Sequence, residues 1–212
     1  RIHRDSLGKP KFESHKFQVN SKHYFYPAST VKLPVAILAL QKIRKLQSQG
    51  IPITPDSPFT VLFSENIIKK TDATHPNNKL TIAHLIKKIF LVSDNTAYNY
   101  LFDFIGRDDA NKAIHSIGIP NFKLSHKFSD SETQNSTPHF IFFNQKGDTI
   151  YNEAPIISNQ KIKNTHLEGV MKGKGYVKDG TVIEESMDFS EKNYASIEAL
   201  DQILKRIIFP KL

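Results

Sequence analysis

Two short groups of polar residues have the types and spacing that nucleophilic catalysis requires. The first is Ser29-Thr30-Val31-Lys32, and the second, further along the chain, is Ser93-Asp94-Asn95. On a helix, residues three apart lie on one face, so a lysine one turn after a serine can contact its hydroxyl. A lysine whose pKa is lowered by burial can take the hydroxyl proton, and the helix N-terminus presents backbone N–H groups to a developing oxyanion. The first group is therefore compatible with a serine nucleophile that has a lysine base.

Each group also has a purely structural interpretation. Ser29 is a good N-cap residue, and Lys32 could lie at the surface with its stem over apolar neighbours. All three residues of the second group favour the N-cap position as well. The Ser-x-x-Lys spacing is weak evidence on its own, since it recurs at Ser6 and Ser158 in turn-like contexts that indicate coincidence.

The elements that must position these groups favour catalysis. The first group opens a predicted helix over 29–48, whose first half, Leu33–Leu40, is apolar at every position. A helix that is apolar all round lies inside a protein, so it would bury Lys32, and burying an unpaired lysine is costly unless it has a role. The second group lies between two predicted helices, at about 81–92 and 96–105, at a distance that allows both groups to meet in one cleft.

The remaining segments predict a mixed α+β domain. Further helices are predicted at 108–117 and 196–208, and a strand hairpin within 1–28. A second hairpin is predicted over 140–151, around a polar turn that contains glycine. The 158–192 segment, which is rich in glycine and polar residues, predicts irregular structure. No function is predicted for these last two segments.

Composition excludes several classes of protein. A chain of 212 residues without cysteine fits one domain that has no disulfide, thiolate metal site or cysteine nucleophile. The longest apolar run is far shorter than the roughly 20 residues of a transmembrane helix. The net charge of +8 is spread along the chain rather than in blocks, so no nucleic-acid partner is predicted. The histidines form no close ligand pair, His84 is expected at the surface, and neither a metal nor a cofactor is predicted.

The two groups, with their flanks, resemble the penicillin-recognising serine hydrolases, which are the class A β-lactamases and their penicillin-binding relatives. Tyr26–Lys32, leading into the apolar helix, resembles the nucleophile helix of that superfamily. Leu91–Ala97 resembles its second motif. The likeness covers about residues 12–106. It implies a three-layer α/β/α sandwich in which an antiparallel sheet adjoins a mostly helical subdomain.

Carried over to the matching positions, the resemblance implies a role for each polar residue. Ser29 would be the nucleophile that is acylated, with Lys32 as its base or as part of a proton network. Ser93 would pass a proton to the leaving nitrogen, and Asn95 would hydrogen-bond the amide of the substrate. Asp94 would brace the turn.

The third motif of the superfamily, Lys-Thr/Ser-Gly on a late strand, does not occur in this sequence. Two segments resemble this motif only in part and are interpreted as turn residues, Lys172–Gly175 and Lys178–Thr181. The simplest account is a single domain over 1–212 whose C-terminal strands are missing from this chain. The other account is a divergent member of the superfamily that lacks the motif.

The deacylating residue is less clearly marked. Class A enzymes use a glutamate on a loop after the second motif to activate a water molecule. Glu132 precedes Asn135 as in that loop, but the spacing is one residue shorter than in the family. Glu132 is therefore either this base or a solvated loop acid.

Three functions follow from these observations. The first is a serine hydrolase of the class A β-lactamase type, acylated at Ser29 by a β-lactam or a related amide or ester and then hydrolysing the acyl-enzyme. The second is a penicillin-binding DD-peptidase or esterase-like relative that deacylates slowly. The third is a non-catalytic basic binding or sensor domain on the same fold. The resemblance further implies a monomer that acts on a β-lactam or peptidoglycan-like small molecule in the periplasm or outside the cell.

Overall fold

The structure is a computed structural model that describes residues 2–64, 67–128, 135–159 and 163–210. The helices of the described chain are α1 Lys32–Ser48, α2 Ile82–Leu91, α3 Asn95–Ile105, α4 Arg107–Ser116 and α5 Ile197–Ile208. The strands are β1 Ile2–Arg4, β2 Pro10–Phe12, β3 Phe59–Ser64, β4 Ile67–Lys69, β5 Phe122–Lys123, β6 His139–Phe143, β7 Thr149–Glu153, β8 Met171–Lys172, β9 Tyr176–Lys178, β10 Thr181–Ile183, β11 Met187–Asp188 and β12 Tyr194–Ala195. These strands pair antiparallel throughout. The predicted α+β class is confirmed.

The centre of the molecule is a helical core in which α3 packs against both α1 and α2. The apolar first half of α1 buries Val35, Ala36 and Ala39 in this core, as its composition predicts. Pro34 is the third residue of α1, where a missing backbone donor does no harm. A 3₁₀ turn over Ala28–Val31 precedes α1, so the predicted helix begins as a tighter turn.

A four-stranded sheet covers this core in the order β4-β3-β6-β7. The predicted hairpin is confirmed as β6 and β7, and it adds to the edge of β3. Buried Phe140 and Phe142 of β6 contact the ring of Phe104 in α3, with ring centres 5.8 and 5.3 Å apart. The hairpin thus closes one side of the helical core. The strand over Phe59–Ser64 is not among the elements predicted from the sequence, although its aromatic and β-branched residues suit one.

The 158–192 segment is more regular than expected. It forms two small strand pairs, β8 with β11 and β9 with β10, although each strand has only two or three residues. Lys178–Thr181 spans the turn between β9 and β10, where Gly180 has a φ of +78°. This placement agrees with its interpretation as a turn.

The N-terminal hairpin is present as β1 and β2, with Gly8 in its turn. It is shorter than expected, because β2 ends at Phe12 and the alternating residues Phe17 and Val19 lie outside any strand. The Ser196 hydroxyl caps α5 by accepting the Ala199 N–H at 3.0 Å. Among the described residues, no helix is long and apolar enough to cross a membrane.

Candidate active site

Ser29 lies in the 3₁₀ turn just before α1, and its side chain is exposed. No side-chain hydrogen bond caps α1, so the interpretation of Ser29 as an N-cap is wrong. The residue before it, Ala28, has a φ of +45°, a left-handed conformation that is strained for a residue with a Cβ. The Thr30 hydroxyl donates to the Pro27 carbonyl at 2.5 Å. Ser29 therefore lies exposed in a turn that is fixed on both sides.

Lys32, the first residue of α1, is only 3% exposed, so its interpretation as a surface residue is wrong. Its Nζ donates to the Ser93 hydroxyl at 2.9 Å and to the Asn95 Oδ1 at 2.8 Å. It also donates to the Ser93 carbonyl. The apolar surroundings of α1 keep water away from the amine, while the second motif supplies its polar contacts.

The second motif forms the turn between α2 and α3. Asp94, rather than Ser93, is the N-cap of α3, and its Oδ1 accepts the Ala97 N–H at 2.7 Å. The Ser93 hydroxyl donates instead to the Ser29 Oγ at 3.0 Å. Ser93 has a φ of +54°, so the backbone is strained on both sides of the cleft, at Ala28 and at Ser93. The structure thus brings together all five residues of the two motifs that the sequence analysis selected.

Three charges determine the electrostatics of this cleft. Burial lowers the pKa of the Lys32 ammonium, and the negative charge of Asp94 opposes that effect only in part. The Asp94 Oδ2 is 3.2 Å from the Nζ of Lys88, a residue in the last turn of α2. Burial would raise the pKa of Asp94, but the hydrogen bonds from the Ala97 N–H and from Lys88 lower it, so the carboxylate is charged at neutral pH.

An aromatic ring covers Lys32 from the loop that follows β5. The Nζ is 5.4 Å from the centre of the Phe128 ring. Asn99 holds this loop, because its Nδ2 donates to the Phe128 carbonyl and its Oδ1 accepts the Phe128 N–H, both at 2.8 Å. In the part of the chain that the structure describes, Asp94 is the carboxylate whose charge acts on Lys32. Glu132 lies outside the described residues.

The sequence analysis did not single out Lys88 or Phe128. A lysine near the C-terminus of a helix is common, because it favours the helix dipole, so Lys88 carried no distinctive signal. Phe128 adjoins no motif in sequence and reaches the cleft only through the fold.

His84 was expected at the surface, and that prediction is wrong. Its ring is largely buried, and its Nε2 lies 2.8 Å from the Thr74 hydroxyl. The described residues hold no group of three metal-ligating side chains close enough to bind a metal ion. Ser158, from another Ser-x-x-Lys string, accepts hydrogen bonds from Arg107 and donates one to Asp108, while Lys161 of that string lies outside the described residues.

The fold and this site define an α+β protein whose two motifs form a serine–serine–lysine cluster. The chain belongs to the beta-lactamase enzyme family, because the sequence model of that family matches residues 10–153, more than half of its 212 residues. Membership implies serine hydrolase activity in general. No curated protein and no solved structure gives a significant match to the chain.

Proposed function

We propose that the protein is a serine hydrolase of the class A β-lactamase type that is acylated at Ser29 by a β-lactam or a related amide or ester. The observation that carries this proposal is the hydrogen-bonded chain from the Lys32 Nζ to the Ser93 hydroxyl and on to the Ser29 Oγ, with links of 2.9 and 3.0 Å. Such a chain ends on a buried amine, which is the arrangement that activates a hydroxyl.

The contacts support a relay through Ser93. Neutral Lys32 takes the Ser93 proton while Ser93 takes the Ser29 proton, and the Ser29 oxygen forms a bond to the carbonyl carbon of the substrate. When the tetrahedral intermediate collapses, the bond to the leaving nitrogen breaks. Ser93 then donates a proton to that nitrogen and regains one from the Lys32 ammonium. In the structure these hydrogen bonds run from Lys32 to Ser93 and from Ser93 to Ser29, so both hydroxyls must rotate and reverse their donor direction once Lys32 is neutral. The heavy atoms of each exchanging pair already lie within hydrogen-bond distance.

Asn95 is oriented for binding substrate. Its Oδ1 accepts from Lys32, so its amide NH₂ is the end that remains for a carbonyl of the substrate. The exposed position of Asn95 at the start of α3 allows this contact. The backbone N–H of Ser29, in the turn before α1, would be one donor to the oxyanion.

Labelling with a fluorescent penicillin tests the proposal. The wild-type protein should form a covalent adduct that survives denaturation, and Ser29→Ala should form none. Ser6→Ala, which alters another Ser-x-x-Lys string, is the matched control and should label like the wild type. Equal labelling of wild type and Ser29→Ala would refute the assignment of the nucleophile.

The same site favours a second candidate, a penicillin-binding relative that deacylates slowly. Turnover needs a base that directs water at the acyl-enzyme. Among the described residues, the carboxylate near Lys32 is Asp94, which already caps α3 and pairs with Lys88. In the described part of the loop after β5, the ring of Phe128 faces Lys32.

Intact-mass spectrometry after a penicillin pulse separates these two candidates. A slow enzyme would keep the penicilloyl adduct for minutes and would not turn over nitrocefin steadily, whereas a β-lactamase would return to its free mass. Glu132→Gln decides whether Glu132 is the base, as the resemblance implies. If it is, this variant should accumulate the adduct, and an unchanged adduct lifetime would exclude that role.

The resemblance also supports finer proposals on the architecture and setting. These are a three-layer sandwich, completed by C-terminal strands, and a monomer acting on peptidoglycan-like substrates in the periplasm or outside the cell.

The remaining alternative is a basic sensor or binding domain. It predicts no covalent adduct with penicillin and binding to anionic polymers that weakens steeply with salt.

A further inference from the structure

Lys88 connects the nucleophile cleft to a second group of polar residues behind it. Its Nζ lies between two carboxylates, 2.9 Å from the Asp72 Oδ2 and 3.2 Å from the Asp94 Oδ2. The side chain is only 19% exposed. The backbone carbonyl of Lys88 accepts the N–H groups of Val92 and Asp94, at 3.1 and 3.5 Å. Main chain and side chain therefore both attach Lys88 to the turn that carries Ser93.

The position of the Asp94 charge is fixed. Its Oδ1 caps α3 through the Ala97 N–H, so the carboxylate cannot turn away from the cleft without uncapping the helix. Its negative charge acts on Lys32 and favours the protonated amine, which cannot serve as a base. A positive charge on the other oxygen of Asp94 offsets this effect.

Asp72 holds the Lys88 ammonium in place. The N–H and the hydroxyl of Thr74 donate to its Oδ1, at 3.0 and 2.6 Å, which leaves Oδ2 for Lys88. Burial would raise the pKa of Asp72, but the hydrogen bonds from Thr74 and Lys88 hold it well below its usual range, so Asp72 stays charged. The other titratable groups that face this cluster are the side chains of His75, His84, Lys87 and Tyr100. Burial lowers the pKa of His84, so its ring is neutral at neutral pH.

We propose that Lys88 is a positioning residue that neutralises the Asp94 carboxylate and thereby keeps the Lys32 amine able to accept a proton near neutral pH. Its consequence for catalysis rests on the proposed function, in which Lys32 is the base of a serine hydrolase. The effect of Lys88 on the ionisation of Lys32, which acts through Asp94, can be measured without any substrate.

The substitution Lys88→Met removes the charge and keeps most of the length of the side chain. Without Lys88, the negative charge of Asp94 raises the pKa of the Lys32 amine. The acidic limb of the pH profile for acylation by a fluorescent penicillin should therefore move up by about one pH unit. At a fixed pH on that limb, acylation should be about tenfold slower. Lys87→Met removes an equal charge from an exposed neighbour and should leave the limb in place, and Lys88→Arg should restore it.

A double substitution separates charge from packing. Asp94→Asn preserves a good N-cap and removes the negative charge. If Lys88 acts by neutralising Asp94, adding Asp94→Asn to Lys88→Met should return the limb close to its wild-type position. A limb that stays displaced in the double variant, or that never moves in Lys88→Met, would overturn the proposal.

NMR titration of ¹³Cε-labelled lysine, with the Lys32 signal assigned from Lys32→Arg, reads the ionisation of Lys32 directly. The midpoint of the Lys32 titration should move to higher pH in Lys88→Met and should return to its wild-type position in the double variant. Thermal melting defines the pH range in which each variant is folded. Should wild type fail to label with penicillin, the proposed function fails, while this titration still decides the role of Lys88.

Discussion

Ser29, Lys32 and Ser93 illustrate how surroundings change the properties of a few side chains. A serine hydroxyl is a weak nucleophile, and an exposed lysine is charged at neutral pH. In this cleft the apolar start of α1 removes Lys32 from water, and that burial lowers its pKa. The Ser93 hydroxyl contacts the Ser29 Oγ, so that Lys32 is linked to Ser29 through Ser93.

Lys32→Met should abolish the acid–base step and leave the buried volume filled. We expect acylation to slow at least about 100-fold. Because burial lowers the Lys32 pKa, the reactive neutral form gains population as pH rises, so the wild-type rate should increase with pH and the variant should lose that limb. Stopped-flow labelling across pH measures both effects. Lys45→Met, an exposed lysine on α1, is the control, and a similar loss in that variant would contradict the prediction.

Among the larger elements, the β6–β7 hairpin has a clear structural task. Alternate residues of β6 face the helices, and the ring of Phe142 lies 5.0 Å from that of Phe59 and 5.3 Å from that of Phe104. At the far end of β7, the Glu153 carboxylate pairs with Lys42 of α1 at 2.5 Å. Aromatic packing attaches the hairpin to α3, and this ion pair attaches it to α1.

Phe142→Ala should lower the free energy of unfolding by about 3–5 kcal/mol, because a fully buried ring leaves a cavity. Phe143→Ala, at the next position and on the opposite face of the strand, should cost clearly less. Urea denaturation of the two variants makes the comparison. Equal losses would mean that the hairpin does not pack as described.

Across the molecule, a buried polar network joins segments that are far apart in sequence. The Asn193 Oδ1 accepts the N–H groups of Ser125 and His126, and the Asn193 N–H donates to the His126 Nδ1. Tyr24 adds a hydrogen bond to the Asn193 carbonyl at 2.6 Å. The network connects the chain before the nucleophile turn, the Phe128 loop and the segment that leads to α5.

His126 makes this network sensitive to acid. Burial lowers its pKa to about 4, with Lys192 adding to the effect. The unfolded chain therefore binds a proton near pH 6.5 that the folded protein binds only near pH 4, so stability is full above pH 6.5 and falls as pH drops through that window. The free energy of unfolding should be lower by about 3 kcal/mol at pH 4 than above pH 6.5. Urea denaturation at several pH values should show this decline weakened in His126→Gln, and an equal slope would exclude His126 as its source.

Local sequence patterns accounted for much of this protein. The apolar run after Ser29 predicted a buried helix, and the polar string at Ser93 predicted a break between α2 and α3. The glycine-containing turn near residue 147 predicted the β6–β7 hairpin. Each of these signals is carried by neighbours in the chain, because helical and strand periodicity depends on residues a few positions apart.

Other features depend on packing between distant segments. The pairing of β3 with β6, the approach of Phe128 to Lys32 and the ion pair of Lys88 with Asp94 each join residues from separate elements. The choice of Asp94 over Ser93 as the N-cap of α3 follows from the same packing, since Ser93 is held by Lys32 across the cleft. The sequence alone therefore selected the residues that we propose to react. Their distances, their burial and the charges that tune them exist only once the helices pack, because electrostatic and hydrogen-bonding contacts act through space rather than along the chain.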